Sequence, residues 1–220
     1  MKKHILFMPD GNRRFAKREG FSFEKAYETG AKTLRLFSDF FLIKKNWDEL
    51  TFHFMSKYTH LRNDGSLKPI YSALINEFNL LLKENYFNKN KLKFIFIDHS
   101  NKLPKELLKV CKKLEENSKG EKVVRVLLGY DLETDERKAF EQSKNYEEFK
   151  RKRLISDIDL VVRTTEMRPS KGPVYAMAQA QMILLNKFNP EVKEEDLENL
   201  FEEYNLNLEY RIKTNPVHQS

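Results

Sequence analysis

The strongest constraint on this chain is a repeated alternation of short apolar runs with longer segments of helical period. HILFM (4–8), LTFHF (50–54), KFIFI (93–97), VVRVLL (123–128) and DLVVR (159–163) read as buried strands. Between them, SFEKAYETGAKTLRLFSDFFL starts at a cap residue, Ser22, and repeats apolar residues at Phe23, Ala26, Tyr27, Leu34 and Phe37. In PIYSALINEFNLLLKENYF, Ile70, Leu74, Phe78 and Leu81 share one face, and PKELLKVCKKLEEN turns Leu107, Leu108, Cys111 and Leu114 inward behind Pro104. YAMAQAQMILL (175–185) and EEDLENLFEEY (194–204) read as two further helices, and the charge-dense KNYEEFKRKRL as an exposed one. NDGSLKP (63–69) reads as a mobile loop punctuated by Gly65 and Pro69. Strands alternating with helices of this length predict an α/β fold. A single domain spans 1–220, with a mostly parallel central sheet flanked by helices and ligands received outside the carboxyl ends of its strands.

Charge narrows the partners. Lys and Arg total 40 against 33 Asp and Glu, a net charge of +7 that favours anionic partners or a basic solvated surface. Cys111 is the only cysteine, which excludes an intrachain disulfide and a thiolate-rich metal site and fits a reducing, cytoplasmic setting. No run approaches the roughly 20 apolar residues that span a bilayer, leaving at most a peripheral membrane contact. There is no GxxxxGK[ST], GxGxxG or HExxH, and no basic stripe interleaved with aromatics of the kind that binds nucleic acid. The 17 phenylalanines could fill a core or line an apolar tunnel.

Two polar clusters follow strands directly. In DGNRR (10–14), Gly11 permits positive φ or close approach of a ligand, a helix starting near Asn12 would offer free N–H groups, and Arg14 adds a forked donor. Asp10 beside such an anion site calls for a bridging cation, for which Mg²⁺ held by one carboxylate and diphosphate oxygens is the usual solution. The competing reading is a Pro-Asp-Gly turn with a helix cap. In DLVVRTTEMRPS (159–170), Arg163, Arg168 and Ser170 make a donor-rich cup, with Glu166 able to orient either guanidinium; the competing reading is a surface salt-bridge loop.

Together these stretches resemble the cis-prenyltransferases, the undecaprenyl diphosphate synthase family. The family's opening motif is similar to His-x-x-x-Ile-Met/Pro-Asp-Gly-Asn-x-Arg-Trp-Ala, which His4 through FMPDGNRRFAK follows, with Phe15 in the place of Trp. Its late motif is similar to Asp-Leu-Val-Ile-Arg-Thr…Arg-x-Ser, which DLVVRTTEMRPS follows with a loop one residue shorter. The resemblance implies an Mg²⁺-dependent condensation of an allylic diphosphate with isopentenyl diphosphate by a homodimer. Asp10 would hold the metal and, with Asn12, serve catalysis. Gly11, Arg13, Arg14 and Phe15 would surround the allylic diphosphate, while Arg163, Arg168 and Ser170 would bind that of the isopentenyl donor. His53 and Ser56 would line the substrate site, and a bulky His53 would shorten the tunnel.

The middle of the chain departs from the family pattern. Phe54-Met55-Ser56-Lys57-Tyr58-Thr59 stands where the family has Phe-Ser-x-Glu-Asn-Trp, Phe23 and Tyr27 replace an Arg and a His, and Leu128-Gly129-Tyr130-Asp131 replaces Tyr-Gly-Gly-Arg. Gln181, expected on a helix, falls where a glutamate assists the metal, and the C-terminal Arg-x-Gly is at best Arg211-Ile212-Lys213. These departures imply a short-chain product. The alternatives are irregular coupling, head-to-middle or cyclising, of two dimethylallyl diphosphates, or a non-catalytic subunit.

Overall fold

A computed structural model describes residues 2–166 and 168–214, with side chains as far as 211; Ile212 and Lys213, invoked above for the C-terminal motif, have side chains outside the described residues. The five apolar runs form β1 (His4–Met8), β2 (Glu49–Ser56), β3 (Leu92–Ile97), β4 (Lys122–Tyr130) and β5 (Leu160–Thr164). A further strand, β6 (Gln181–Leu185), completes a six-stranded sheet of order β3-β4-β2-β1-β5-β6 in which every pairing is parallel. The fold is thus one α/β sheet flanked by helices.

Helices make the crossovers between the parallel strands, except for the helix-free β5–β6 connection. They are α1 (Asn12–Glu19), α2 (Phe23–Ala31), α3 (Thr33–Phe37) running into a π-helical segment (Ser38–Lys44), α4 (Leu67–Lys83), α5 (Tyr86–Lys89), α6 (Lys105–Glu116), α7 (Leu132–Glu141), α8 (Tyr146–Lys152) and α9 (Glu194–Thr214). Ser22 caps α2, accepting from Lys25 N–H at 3.2 Å. The loop expected over 63–69 ends sooner: Pro69 lies in the first turn of α4, where its missing N–H costs nothing. Leu108 is half-buried, and Val110 joins Leu107, Cys111 and Leu114 on the inner face of α6.

The expected helix over 175–185 does not form. Residues 174–179 turn, and 181–185 pair with β5, with Gln181 opposite Leu160 and Leu184 opposite Arg163. Met, Leu and Gln favour helix locally, but an unfilled sheet edge beside β5 and burial of Ile183 outweigh a preference of a few tenths of a kcal/mol per residue.

Alternating strand residues divide between two cores. Ile5 and Phe7, like Leu160 and Val162, join a large aromatic-rich cluster with α2–α6 and α9, where Phe7 stacks on Phe37 at 3.8 Å. Leu6, Met8 and Val161 face a smaller cluster with Leu127, Tyr130 and Met177. Both faces being dry explains why the strands read as continuous apolar runs. Eight of the 17 phenylalanines are therefore packing: Phe7, Phe37, Phe40, Phe41, Phe52, Phe78, Phe87 and Phe94 are buried in the large cluster.

Candidate active site

The carboxyl ends of β1, β2 and β5 open into one cavity of about 830 Å³. Its polar end is built by the two post-strand loops. After β1, Gly11 takes φ 89° and starts α1. A Cβ there would lie 2.6 Å from the Phe188 ring and 2.7 Å from the Thr165 methyl, so both backbone conformation and packing require glycine. The first N–H groups of α1 lie at the cavity, since Asn12, Arg13 and Arg14 all border it.

Thr164, the last residue of β5, joins the loops. Its hydroxyl donates to Asp10 carbonyl at 2.9 Å and accepts from Asp10 N–H at 2.6 Å. Asp10 Oδ1 accepts from Gly11 N–H at 2.6 Å and lies 3.4 Å from Arg14, while Oδ2 accepts from Arg163 Nη2 at 3.0 Å. Burial alone would raise the Asp10 pKa. The Arg163 and Gly11 hydrogen bonds and the charges of Arg163 and Arg14 outweigh it and hold the carboxyl below its ordinary value. A carboxylate in this state is ionised whenever a cation or a diphosphate arrives.

Arg163 is the buried centre of the cationic end. Its Nη1 donates to the Arg168 carbonyl, yet its Nε has no partner among the described residues. Glu166 ties the rim, contacting both Arg14 (3.4 Å) and Arg168, while Arg14 also donates to Thr165 Oγ1 at 2.7 Å. Ser170 and Lys171 border the cavity from backbone positions of positive φ, 42° and 64°. Arg13 pairs with Asp64 at the mouth, and Ser56 borders the cavity with its hydroxyl 3.4 Å from that of Thr59.

β2 sorts its two candidates by face. Its pairing with β4 shifts register between His53 and Met55. His53 sits on the face of Arg163 and packs edge-on to Tyr130, with its Nε2 buried and unpartnered among the described residues. Burial first, then the Arg163 charge, lowers its pKa from 6.5 to about 4, so it is a neutral imidazole beside the cationic cup. The residue facing the apolar side is Phe54, stacked on Phe52 at 5.2 Å. There the cavity continues as a groove between α2 and α4, walled by Tyr27, Ala31, Ile70, Ala73 and Leu74.

The structure thus gathers Asp10, Gly11, Asn12, Arg13, Arg14, His53, Ser56, Arg163, Arg168 and Ser170 around one cavity. Phe15 stands apart. One turn into α1 its ring points away from the cavity, against Phe21 (5.8 Å) and under Arg18 (5.7 Å). Gln181 is also displaced: opposite Leu160, it lies three residues, roughly 10 Å, below the level of Arg163. Its amide is buried without a partner among the described residues, and it does not join Asp10. Sequence reasoning passed over Phe54, Lys17, Arg62, Lys171 and Asn189, all on the cavity wall. Only Phe54 carried a signal, the period-2 alternation that sets it opposite in face to His53.

Among the described residues no group of three or more His, Cys, Asp or Glu is placed to hold a metal. One ionised carboxylate beside an anion cup suits a hard cation that takes its remaining ligands from phosphate and water. No helix of the described residues is long and apolar enough to cross a membrane.

Comparison with known proteins agrees with this geometry. The family model described as "Putative undecaprenyl diphosphate synthase" matches residues 8–210. A tritrans,polycis-undecaprenyl-diphosphate synthase (geranylgeranyl-diphosphate specific) of Pyrobaculum aerophilum is 29% identical, over 91% of this chain and 92% of its own. An isoprenyl transferase of Fusobacterium nucleatum is 27% identical over 92% of each. Among solved structures, lavandulyl diphosphate synthase of Lavandula x intermedia, in complex with dimethylallyl diphosphate, shares the fold at a TM-score of 0.82 and 18% identity, covering 92% of this chain and 94% of that one. The chain belongs to the undecaprenyl diphosphate synthase family, the cis-prenyltransferases, and is a prenyltransferase.

Proposed function

We propose that the chain joins an allylic diphosphate to isopentenyl diphosphate with the help of Mg²⁺ and releases a short prenyl diphosphate. The observation that carries this reading is continuity: one cavity runs from the Asp10–Arg163 cup to the apolar groove between α2 and α4. An amphipathic ligand with a diphosphate head and a hydrocarbon tail matches both ends.

Departure of an allylic diphosphate builds negative charge on the leaving oxygens. Arg14, Arg163 and the amino end of α1 are fixed before the reaction, so they stabilise that charge more than the ground state. Arg163, bonded to both loops, also reaches the second diphosphate, which Arg168 and Ser170 hold on the neighbouring loop. Tyr27, Ala31, Ala73, Leu74 and Phe54 keep water from the cationic carbon. Asp10 is the carboxylate that would hold Mg²⁺, together with diphosphate oxygens; the ion would supply further neutralisation of the leaving group. Phe54 narrows the groove, which supports a short product, and His53 walls the polar end.

A homodimer fits the outer edge of the sheet, where β6 exposes Met182 and Leu184 on a strand whose far side is unpaired by any described strand. The test is incubation with Mg²⁺, either dimethylallyl or geranylgeranyl diphosphate, and isopentenyl diphosphate, with products identified by mass spectrometry. Product requiring both substrates is expected. Product from dimethylallyl diphosphate alone would replace this reading with irregular coupling, and no product from any combination would remove it.

A further inference from the structure

Asn189, in the 3₁₀ turn Asn189–Glu191 after β6, is 1% exposed, and its bonds run to both sides of the cavity wall. Its N–H donates to the Asp10 carbonyl at 2.9 Å. Its Nδ2 donates to the Gly30 carbonyl and to Asn12 Oδ1, each at 3.1 Å, and its Oδ1 lies 3.1 Å from the Thr33 hydroxyl, which it shares with the Gly30 carbonyl at 2.7 Å. These contacts leave one arrangement. A backbone carbonyl can only accept, so Gly30 requires the Nδ2 side of Asn189; that nitrogen can only donate, so Asn12 must offer its oxygen. A Cβ on Gly30 would fall 2.2 Å from Asn12 Oδ1 and 2.5 Å from Asn189 Nδ2, so any other residue there would displace the two amides.

We propose that Asn189 is a positioning residue: it fixes the amide of Asn12 so that Asn12 presents its Nδ2 to the cavity as a donor to diphosphate oxygen. Asn12 Nδ2 has no bond to any described residue, and Asn12 borders the cavity. With its oxygen bonded to Asn189, Asn12 faces the cavity as a hydrogen-bond donor. The inference rests on reading the cavity as a diphosphate site.

The test is calorimetric titration of the full chain with inorganic diphosphate and Mg²⁺, alongside melting temperatures. Asn189→Asp cannot donate to Asn12, which then turns its oxygen toward the cavity. Its affinity is expected to fall about tenfold, one hydrogen bond to a charged group. In an Asn12→Ala background the same change is expected to stay within about twofold. An equal loss in both backgrounds, or wild-type affinity in Asn189→Asp, overturns the proposal. Should Asn189→Asp fail to fold, Asn189→Ala decides: it frees the Asn12 amide to turn without adding charge to the cavity. Lost affinity in the folded variant supports the proposal, and retained affinity overturns it. Wild-type protein that binds no diphosphate overturns the cavity reading and the proposal with it, an outcome distinct from failure of Asn189 alone.

Discussion

The two ends of the same strands each pair a buried arginine with a carboxylate near a buried histidine, and only one end is a site. At the amino end, Arg125 donates to Glu49 at 3.1 Å, Ser156 donates to Glu49 at 3.0 Å, and His4 meets Thr51 at 2.9 Å and Ser156 at 3.0 Å. At the carboxyl end, Arg163 donates to Asp10 at 3.0 Å beside His53. The first network has no buried side-chain atom without a partner among the described residues, and none of its residues borders the cavity. The second leaves Arg163 Nε and His53 Nε2 unanswered and opens on 830 Å³ of space. A buried ion pair by itself is weak evidence of function. Unspent bonding capacity facing a cavity is the informative difference.

Substitutions can break this comparison. Asp10→Ala is expected to lower turnover per folded molecule about a thousandfold, in the range of removing a preorganised electrostatic group. Retained turnover in that variant would make both ends structural. Glu49→Ala leaves Arg125 buried and unpaired and is expected to cost about 3 kcal/mol of stability in a denaturant titration, with turnover per folded molecule unchanged. Loss of turnover without loss of stability would show that the amino end also serves the reaction.

Phe54→Ala sharpens the assignment within the site. It opens the groove side of β2, and mass spectrometry should find product longer by at least one five-carbon unit. His53→Ala opens the opposite face and should leave chain length unchanged. The reverse pattern would restore His53 as the residue that limits the tunnel.

The smallest effect is with pH. His4 and His53 both have pKa values lowered from 6.5 to about 4, chiefly by burial and next by Arg125 and Arg163 respectively. On acidification the unfolded chain takes up these protons first, so their stabilisation is complete above about pH 6.5 and declines as pH falls toward about 4. His53→Gln removes one of these contributions and should make the fall in melting temperature over that window shallower. An unchanged slope would mean that His53 is hydrated or paired in solution.

The strands β1 to β5 were legible because parallel sheet residues are dry on both faces and therefore write continuous apolar runs. Asp10, Gly11, Arg163 and Ser170 were legible as polar residues placed directly after such runs. β6 was not, since MILL after YAMAQAQ reads equally well as helix and only the vacant edge beside β5 decides it. Nor was the separation of Gln181 from Asp10, which follows from that same pairing.

The sequence by itself determined a parallel α/β sheet with two donor-rich loops after β1 and β5, because burial periodicity and donor chemistry are local properties. Tertiary structure alone decided that the loops share one cavity, that Phe54 and not His53 faces the apolar groove, and that Asn189 orients Asn12 from 177 positions away. Those facts depend on register, on which face a side chain takes, and on which distant carbonyl fixes an amide, and none of these is encoded in a neighbouring residue.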